Sequence, residues 1–179
     1  MDLAVCISYL LGDTKGDLFM RYEAYTDGSF KEVKGVGAYY ASAAIIAAEG
    51  TSDWSSIVKV SNDKDLISMR NVAGEIMAVM AVCEHCMNVL HLKQGDTLRI
   101  NYDYVGIENW CKKPGEKDFW RAKNPITSAY RDYILTVVKP KFKLEFNHVT
   151  GHSGNVGNEI VDKLAREAID KRFAEDLSK

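Results

Sequence analysis

A chain of 179 residues, 46% hydrophobic and 27% charged, can bury one substantial core without disulfide or metal staples. Three prolines and no low-complexity run leave no visible interdomain linker, and a formal net charge of −2 is not the footprint of a strongly basic nucleic-acid-binding domain. Residues 1–11 have an apolar centre, but Asp2 stands where a signal peptide needs basic residues, and the run is too short to span a bilayer. The expectation is a cytoplasmic protein with an N-terminal extension over residues 1–19, of unassigned role, and a single domain over 20–179.

In chain order, the alternating, aromatic-rich residues 20–27 predict a strand that ends in a turn at Gly28-Ser29. A second strand over 36–47 and a short third one near 57–60 follow after brief connections, as antiparallel neighbours do. Val72, Ile76, Val79, Met80, Cys83, Met87 and Leu90 form a helical stripe over 72–92, with Glu75 about 90° from its centre near the N-terminus. A strand over 97–103, helices near 104–111 and 125–138, a strand over 142–149 and a helix over 157–176 then alternate, which implies parallel crossovers. The fold class is α/β, a mixed five-stranded sheet flanked by helices on both faces, with the first three strands antiparallel and the rest parallel.

The most informative segment is His148 to Ala165. Gly151, Gly154 and Gly157 shape a loop that carries His152, and helix start signals follow at Asn158 and Glu159. Ile160, Val161, Leu164, Ala165, Ala168 and Ile169 make one apolar face, with Asp162 on its flank, where a carboxylate can face a cleft. Three acids upstream could meet it there: Asp27 at the end of the first strand, Glu75 in the helix, and Asp103 closing the strand from Thr97. Singly they are bland, because a strand-end Asp is usually a turn former and a first-turn Glu usually answers the helix dipole. The order strand Asp, helix Glu, strand Asp, then loop His and helix Asp is what is specific.

At these residues the chain resembles type 1 ribonuclease H over roughly residues 20 to 172. The matching pieces are Thr26-Asp27-Gly28-Ser29, Gly35-Val-Gly37-Ala, Asn71 with Glu75, Asp103, and Gly151-His152 ahead of Asn158-Glu159 and Asp162-Lys-Leu-Ala. The resemblance implies a ribonuclease H-like fold and an endonuclease that hydrolyses the RNA strand of RNA–DNA hybrids, leaving 5′-phosphate and 3′-hydroxyl ends. It implies Asp27, Glu75, Asp103 and Asp162 as metal-binding carboxylates for two Mg²⁺ ions, with Mn²⁺ able to substitute, and His152 as a mobile proton-handling group. Gly28, Ser29, Asn71 and Gly74 are the expected contacts to the substrate. In two places the chain departs from the family pattern: Phe30-Lys-Glu-Val-Lys34 stands where an Asn-Pro-Gly turn is frequent, and Asp103-Tyr104-Val105 where Asp-Ser-Gln is frequent.

The chemistry gives such a set its reason. Phosphodiester hydrolysis needs an activated water and positive charge over the developing phosphorane, which two hard divalent ions provide, and such ions prefer carboxylate oxygen to Cys or His. Between residues 110 and 143, nine lysines and arginines face three acids. Trp110 and Trp120 interleave with them, as a surface that stacks on sugar or base would require. The other reading of that region is a solvated charged loop with Trp110 anchored in the core. Cys83-Glu-His-Cys86 invites a zinc reading, but Cys83 and His85 point to different sides of the helix, which favours core packing.

Two readings stand beside the hybrid-cutting endonuclease. One is a DNA-acting nuclease or strand-transferase on the same fold, and the other a non-catalytic hybrid-binding module. The expected partner is an RNA–DNA hybrid, bound by a monomer with no membrane association. His152→Ala should lower turnover by a factor of about 10 to 10³, the reach of general acid–base help, and leave Mg²⁺ affinity largely intact by calorimetry; loss of Mg²⁺ binding would mark the histidine as a ligand instead.

Overall fold

The computed structural model describes residues 19–151 and 154–178. All of 1–18 and His152 itself therefore lie outside the described residues, and with them all of the proposed N-terminal extension except Phe19. Five strands form one sheet in the order β3-β2-β1-β4-β5. β1 (Arg21–Val33), β2 (Gly37–Ala48) and β3 (Ser55–Ser61) are antiparallel neighbours, whereas β4 (Thr97–Tyr102) runs parallel to β1, and β5 (Lys143–His148) parallel to β4. The mixed sheet expected from the sequence is therefore the one observed.

β2 shows why the sheet is covered on both sides. Its residues alternate between two cores: Ala41, Ala43 and Ile45 face one, and Ala44 and Ile46 the other. A strand buried on both faces reads as a continuous apolar run. The larger core packs α1 (Asn71–Asn88) and α3 (Pro125–Asp132) against Ala24, Leu98 and Ile100, while α4 (Val156–Leu177) closes the other face with Val161, Ala165, Ile169 and Phe173. A four-residue helix α2 (Gly106–Asn109) follows β4, and α3 continues into a wider turn over Tyr133–Val138, where the Lys139 N–H donates to the Ile134 carbonyl at 3.0 Å. No described helix is long and apolar enough to cross a membrane.

Several expected boundaries move. β1 does not turn at Gly28-Ser29. Its pairing with β2 continues through Gly28↔Ser42 to Val33↔Gly37, and the chain reverses at 34–36, where Gly35 takes a φ of 81°. α1 ends at Asn88 rather than 92, because His91 adopts a φ of 54° and the Leu92 N–H returns to the Cys86 carbonyl. The helix expected from 157 begins at Val156, and its cap is Asn155 rather than Asn158, the Asn155 side chain accepting from the Asn158 N–H at 3.1 Å. The buried stripe of α4 is Asn158, Val161, Ala165, Ile169 and Phe173, which leaves Ile160, expected inside, 42% exposed.

The glycine at 28 serves a contact rather than a turn. A Cβ there would lie 2.2 Å from the Glu75 amide nitrogen and 2.5 Å from the Asn71 carbonyl; at Gly74 it would lie 2.1 Å from the Ala41 carbonyl and 2.7 Å from the Gly28 Cα. The first turn of α1 thus rests directly on β1 and β2, backbone against backbone, with no flexible side-chain end to give way. Gly74→Ala should lower stability by at least the ~1–3 kcal/mol typical of overpacking; an unchanged denaturation midpoint would show that the helix can lift without penalty.

Candidate active site

Asp27 reaches the site because β1 outruns its parallel neighbour. The β1–β4 pairing ends at Tyr25↔Asn101, so Asp27 lies two residues beyond the last pair, where no strand covers that edge. β4 stops at Tyr102 and the next residue, Asp103, turns toward the same gap. Glu75 descends from the first turn of α1, brought close by the Gly28/Gly74 contact. Oxygens of Asp27, Glu75 and Asp103 all lie within 4.8 Å of one another. Asp162 approaches from α4 on the opposite face and lines the same open cavity of about 340 Å³, though it is not one of that close trio. Its carboxylate accepts from the Arg166 guanidinium at 2.7 Å, one helical turn on.

Glu75 is far more buried than a flank position suggests, at 2% exposure, and its Oε2 has no hydrogen-bond partner among the described residues. Burial, and then the negative charge of Asp27 and Asp103, push its carboxyl well above the usual range. Asp27 is raised to about 6, chiefly by burial; the Glu75 carboxyl and the Gly28 N–H, which donates to Asp27 Oδ1 at 2.7 Å, oppose the shift, while Asp103 and Asp162 add to it. An orphaned carboxylate oxygen inside a converging acid cluster is the donor set of a hard divalent cation, which the residues present therefore fit.

The remaining expected residues separate into those at the cavity and those away from it. Gly28 and Asn71 line it. Ser29 borders a separate cleft with Phe30, Lys31 and Arg166, and Gly74 contributes its close backbone contact. Trp110 is 8% exposed and packs among Tyr104, Trp120 and Tyr130, so it anchors the core rather than lying open to a ligand; Trp120 is 39% exposed. Gly151, which precedes His152, lies beside the site, since a Cβ there would stand 2.9 Å from Asp103 Oδ2. Cys83, Cys86 and Cys111 are buried and unpaired, with burial pushing the Cys86 thiol up to about 12 and Cys111 to about 11, as core packing requires.

Two cavity residues were not singled out as site residues from the sequence. Asn158 is buried, its Nδ2 lies 3.5 Å from Asp103 Oδ2, and its Oδ1 has no partner among the described residues. Tyr104 forms part of the wall. Asn158 looked like a helix start signal, and only the cap at Asn155 frees it to turn inward.

Strand order and the carboxylate cluster beyond the central strands together define the class, an α/β domain of ribonuclease H-like fold. The chain belongs to the RNase H family, whose sequence model matches residues 20–170. It is 28% identical over 159 residues to a ribonuclease H of Francisella tularensis subsp. novicida, covering 83% of this chain and 91% of that one. A ribonuclease H of Dichelobacter nodosus is 37% identical over 67 residues, 36% of this chain and 44% of its own length. Among solved structures, the N-terminal RNase H domain of a Mycobacterium tuberculosis protein superposes with a TM-score of 0.60 at 13% identity, covering 87% of this chain and 98% of that one. LC11-RNase H1, solved in complex with an RNA/DNA hybrid, does so with a TM-score of 0.60 at 20% identity, covering 85% and 99%. At such identities the structural likeness establishes the fold.

The raised carboxyls give the site a pH signature. A carboxyl whose folded pKa lies above its unfolded value binds its proton more tightly in the folded state, so its contribution to stability falls as pH rises from the unfolded value through the folded one. For Asp27 that interval runs from 3.8 to about 6, and Glu75 is shifted in the same direction. Relative to an Asp27→Asn/Glu75→Gln variant, cation-free protein should lose thermal stability as pH rises from about 4 past about 6, and a divalent cation should restore it more at pH ~7.5 than at pH ~5. A stability gap that is flat across this range would contradict the assigned shifts.

Proposed function

We propose that this protein is an endonuclease that hydrolyses the RNA strand of RNA–DNA hybrids, leaving 5′-phosphate and 3′-hydroxyl ends. Residues 20–179 are its catalytic domain, acting as a cytoplasmic monomer. The observation that carries the reading is the buried trio Asp27, Glu75 and Asp103 with Asp162 in the same cavity, in a chain of the RNase H family. Two Mg²⁺ ions held by these four carboxylates, or Mn²⁺ in their place, would supply an activated water and charge stabilisation at the leaving 3′ oxygen.

The protein's own part is to position and to move protons. Asp27, with a carboxylate oxygen within 4.8 Å of those of Glu75 and Asp103, would be a shared ligand of the metal ions. Asn158 holds Asp103 by its amide, and Arg166 holds Asp162. His152, on its glycine-flanked loop, carries a proton to or from the site at its imidazole, whose ordinary pKa suits neutral pH. Gly28 and Asn71 line the cavity where the substrate's ribose hydroxyls would be read, Gly74 seats α1 beside it, and the 2′-hydroxyl distinguishes RNA from DNA. The basic segment from 110 to 143, with Trp120 exposed on it, supports the flanking phosphates.

All four carboxylates being present speaks against a non-catalytic binding module. Cleavage of end-labelled RNA–DNA hybrid, RNA duplex and DNA duplex in Mg²⁺, Mn²⁺ or chelator separates the readings, with cutting expected only of the RNA strand in the hybrid and only with metal. Asp27→Asn should remain folded and lose hybrid cleavage, because a shared anionic ligand is gone. Near-normal Mg²⁺-dependent turnover in that variant would sink the assignment, and cutting of duplex DNA would favour the strand-transferase reading.

A further inference from the structure

The cavity holds four carboxylates, and among its described lining residues there is no lysine or arginine. Among the described lining residues, the side-chain hydrogen-bond donors a phosphodiester would meet are Asn71, Asn158 and Tyr104. The Asn158 amide is turned toward Asp103, at 3.5 Å. Asn71 is an exposed residue at the start of α1.

Tyr104 differs from both. It follows the third carboxylate directly, and its half-buried ring packs against Trp110, with ring centres 5.7 Å apart. Trp110 in turn packs against Trp120 and Tyr130, at 6.2 and 6.3 Å, and the Tyr130 hydroxyl donates to the Ile107 carbonyl at 3.0 Å. Gly106 packs close to both rings, since a Cβ there would come within 2.5 Å of Tyr104 Cε1 and 2.9 Å of Trp110 Cη2. A ring packed in this way has lost part of its rotamer freedom on folding, so ordering it on binding costs less. Its phenol has no hydrogen-bond partner among the described residues and is a neutral donor at neutral pH.

We propose that Tyr104 is a substrate-contacting residue, whose phenolic O–H donates to a non-bridging phosphate oxygen of the nucleotide held over Asp27, Glu75 and Asp103. It rests on the reading of the site as a nuclease and adds a specific donor to it. A preorganised O–H aimed at anionic oxygen lends charge-assisted binding without adding a cation to compete for the carboxylates. The contact belongs to this chain's Asp103-Tyr104-Val105 sequence, since a serine at 104 could neither reach as far nor be held by Trp110.

Tyr104→Phe keeps the ring and its packing and removes only the donor. Steady-state cleavage of RNA–DNA hybrid should show kcat/KM lowered by roughly 10- to 100-fold, the usual effect of losing a hydrogen bond to a charged group. The thermal midpoint and the Mg²⁺ affinity measured by calorimetry should stay at wild-type values. A kcat/KM within twofold of wild type overturns the assignment, and so does a loss accompanied by weakened Mg²⁺ binding, which would mean that Tyr104 acts through Asp103. Wild-type protein that leaves the hybrid intact overturns the nuclease reading itself, so the two failures are distinguishable.

Discussion

The architecture of the site depends on one backbone contact, the first turn of α1 seated on β1 through Gly28 and Gly74. Any side chain at either position would force the helix away from the sheet, and Glu75 would move with it, away from Asp27. Burial raises both carboxyls, and the charge of neighbouring acids adds to it, that of Asp27 and Asp103 at Glu75 and that of Asp103 and Asp162 at Asp27. The rigid contact holds them there regardless. A site built to bind positive charge is therefore least stable when that charge is missing, the usual conflict between function and stability.

The sheet topology makes the remaining space. Because β4 stops pairing with β1 at Asn101, the edge of β1 beyond Tyr25 is open, and Asp103 can fold back across it. The two layers of helices then contribute from opposite faces, Glu75 from α1 and Asp162 with Asn158 from α4. A polar ladder steadies the frame just below: the Asn101 amide donates to the Ala24 carbonyl and to Glu23, and the Asn147 amide donates to Asn101 Oδ1. At the far end of the strands, buried Asp96 accepts from the Met20 and Lys93 N–H groups and so fixes where β1 enters. Rigid pairing below and an open edge above are what allow a catalytic constellation to be both ordered and accessible.

On the flank, aromatic and basic residues divide the work. Trp110 is buried and links the end of β4, through Tyr104, to α3, through Tyr130. Trp120 lies at the surface, tied by its N–H to the Asn109 carbonyl at 3.0 Å. Most of the lysines and arginines around it are exposed, which places a positive surface beside a cavity that is itself acidic.

Local sequence determined the elements and the chemical set. Period-2 and period-3.6 patterns report which face of a segment is apolar, and the strands and main helices fell within a few residues of their expected places, apart from β1, which runs on from its expected end at 27 to Val33. The acids Asp27, Glu75, Asp103 and Asp162 stood out by their order, two at strand ends and two on helix flanks, although singly each is bland. Contacts between segments distant in the chain were decided only in three dimensions. Gly28 looked like a turn because a glycine's need for a turn and its need for close approach read alike in one sequence. The helical stripe placed Glu75 on a flank, but the first turn of α1 sits directly on β1 and β2, and the acid is buried. Asn158 resembled a cap until Asn155 took that role, and Trp110 could be assigned to core or surface only once its aromatic neighbours had converged on it. Periodicity records what one segment prefers to hide; which backbone comes within 3 Å of which, and hence which charges must share a cavity, is settled by the packing of the whole chain.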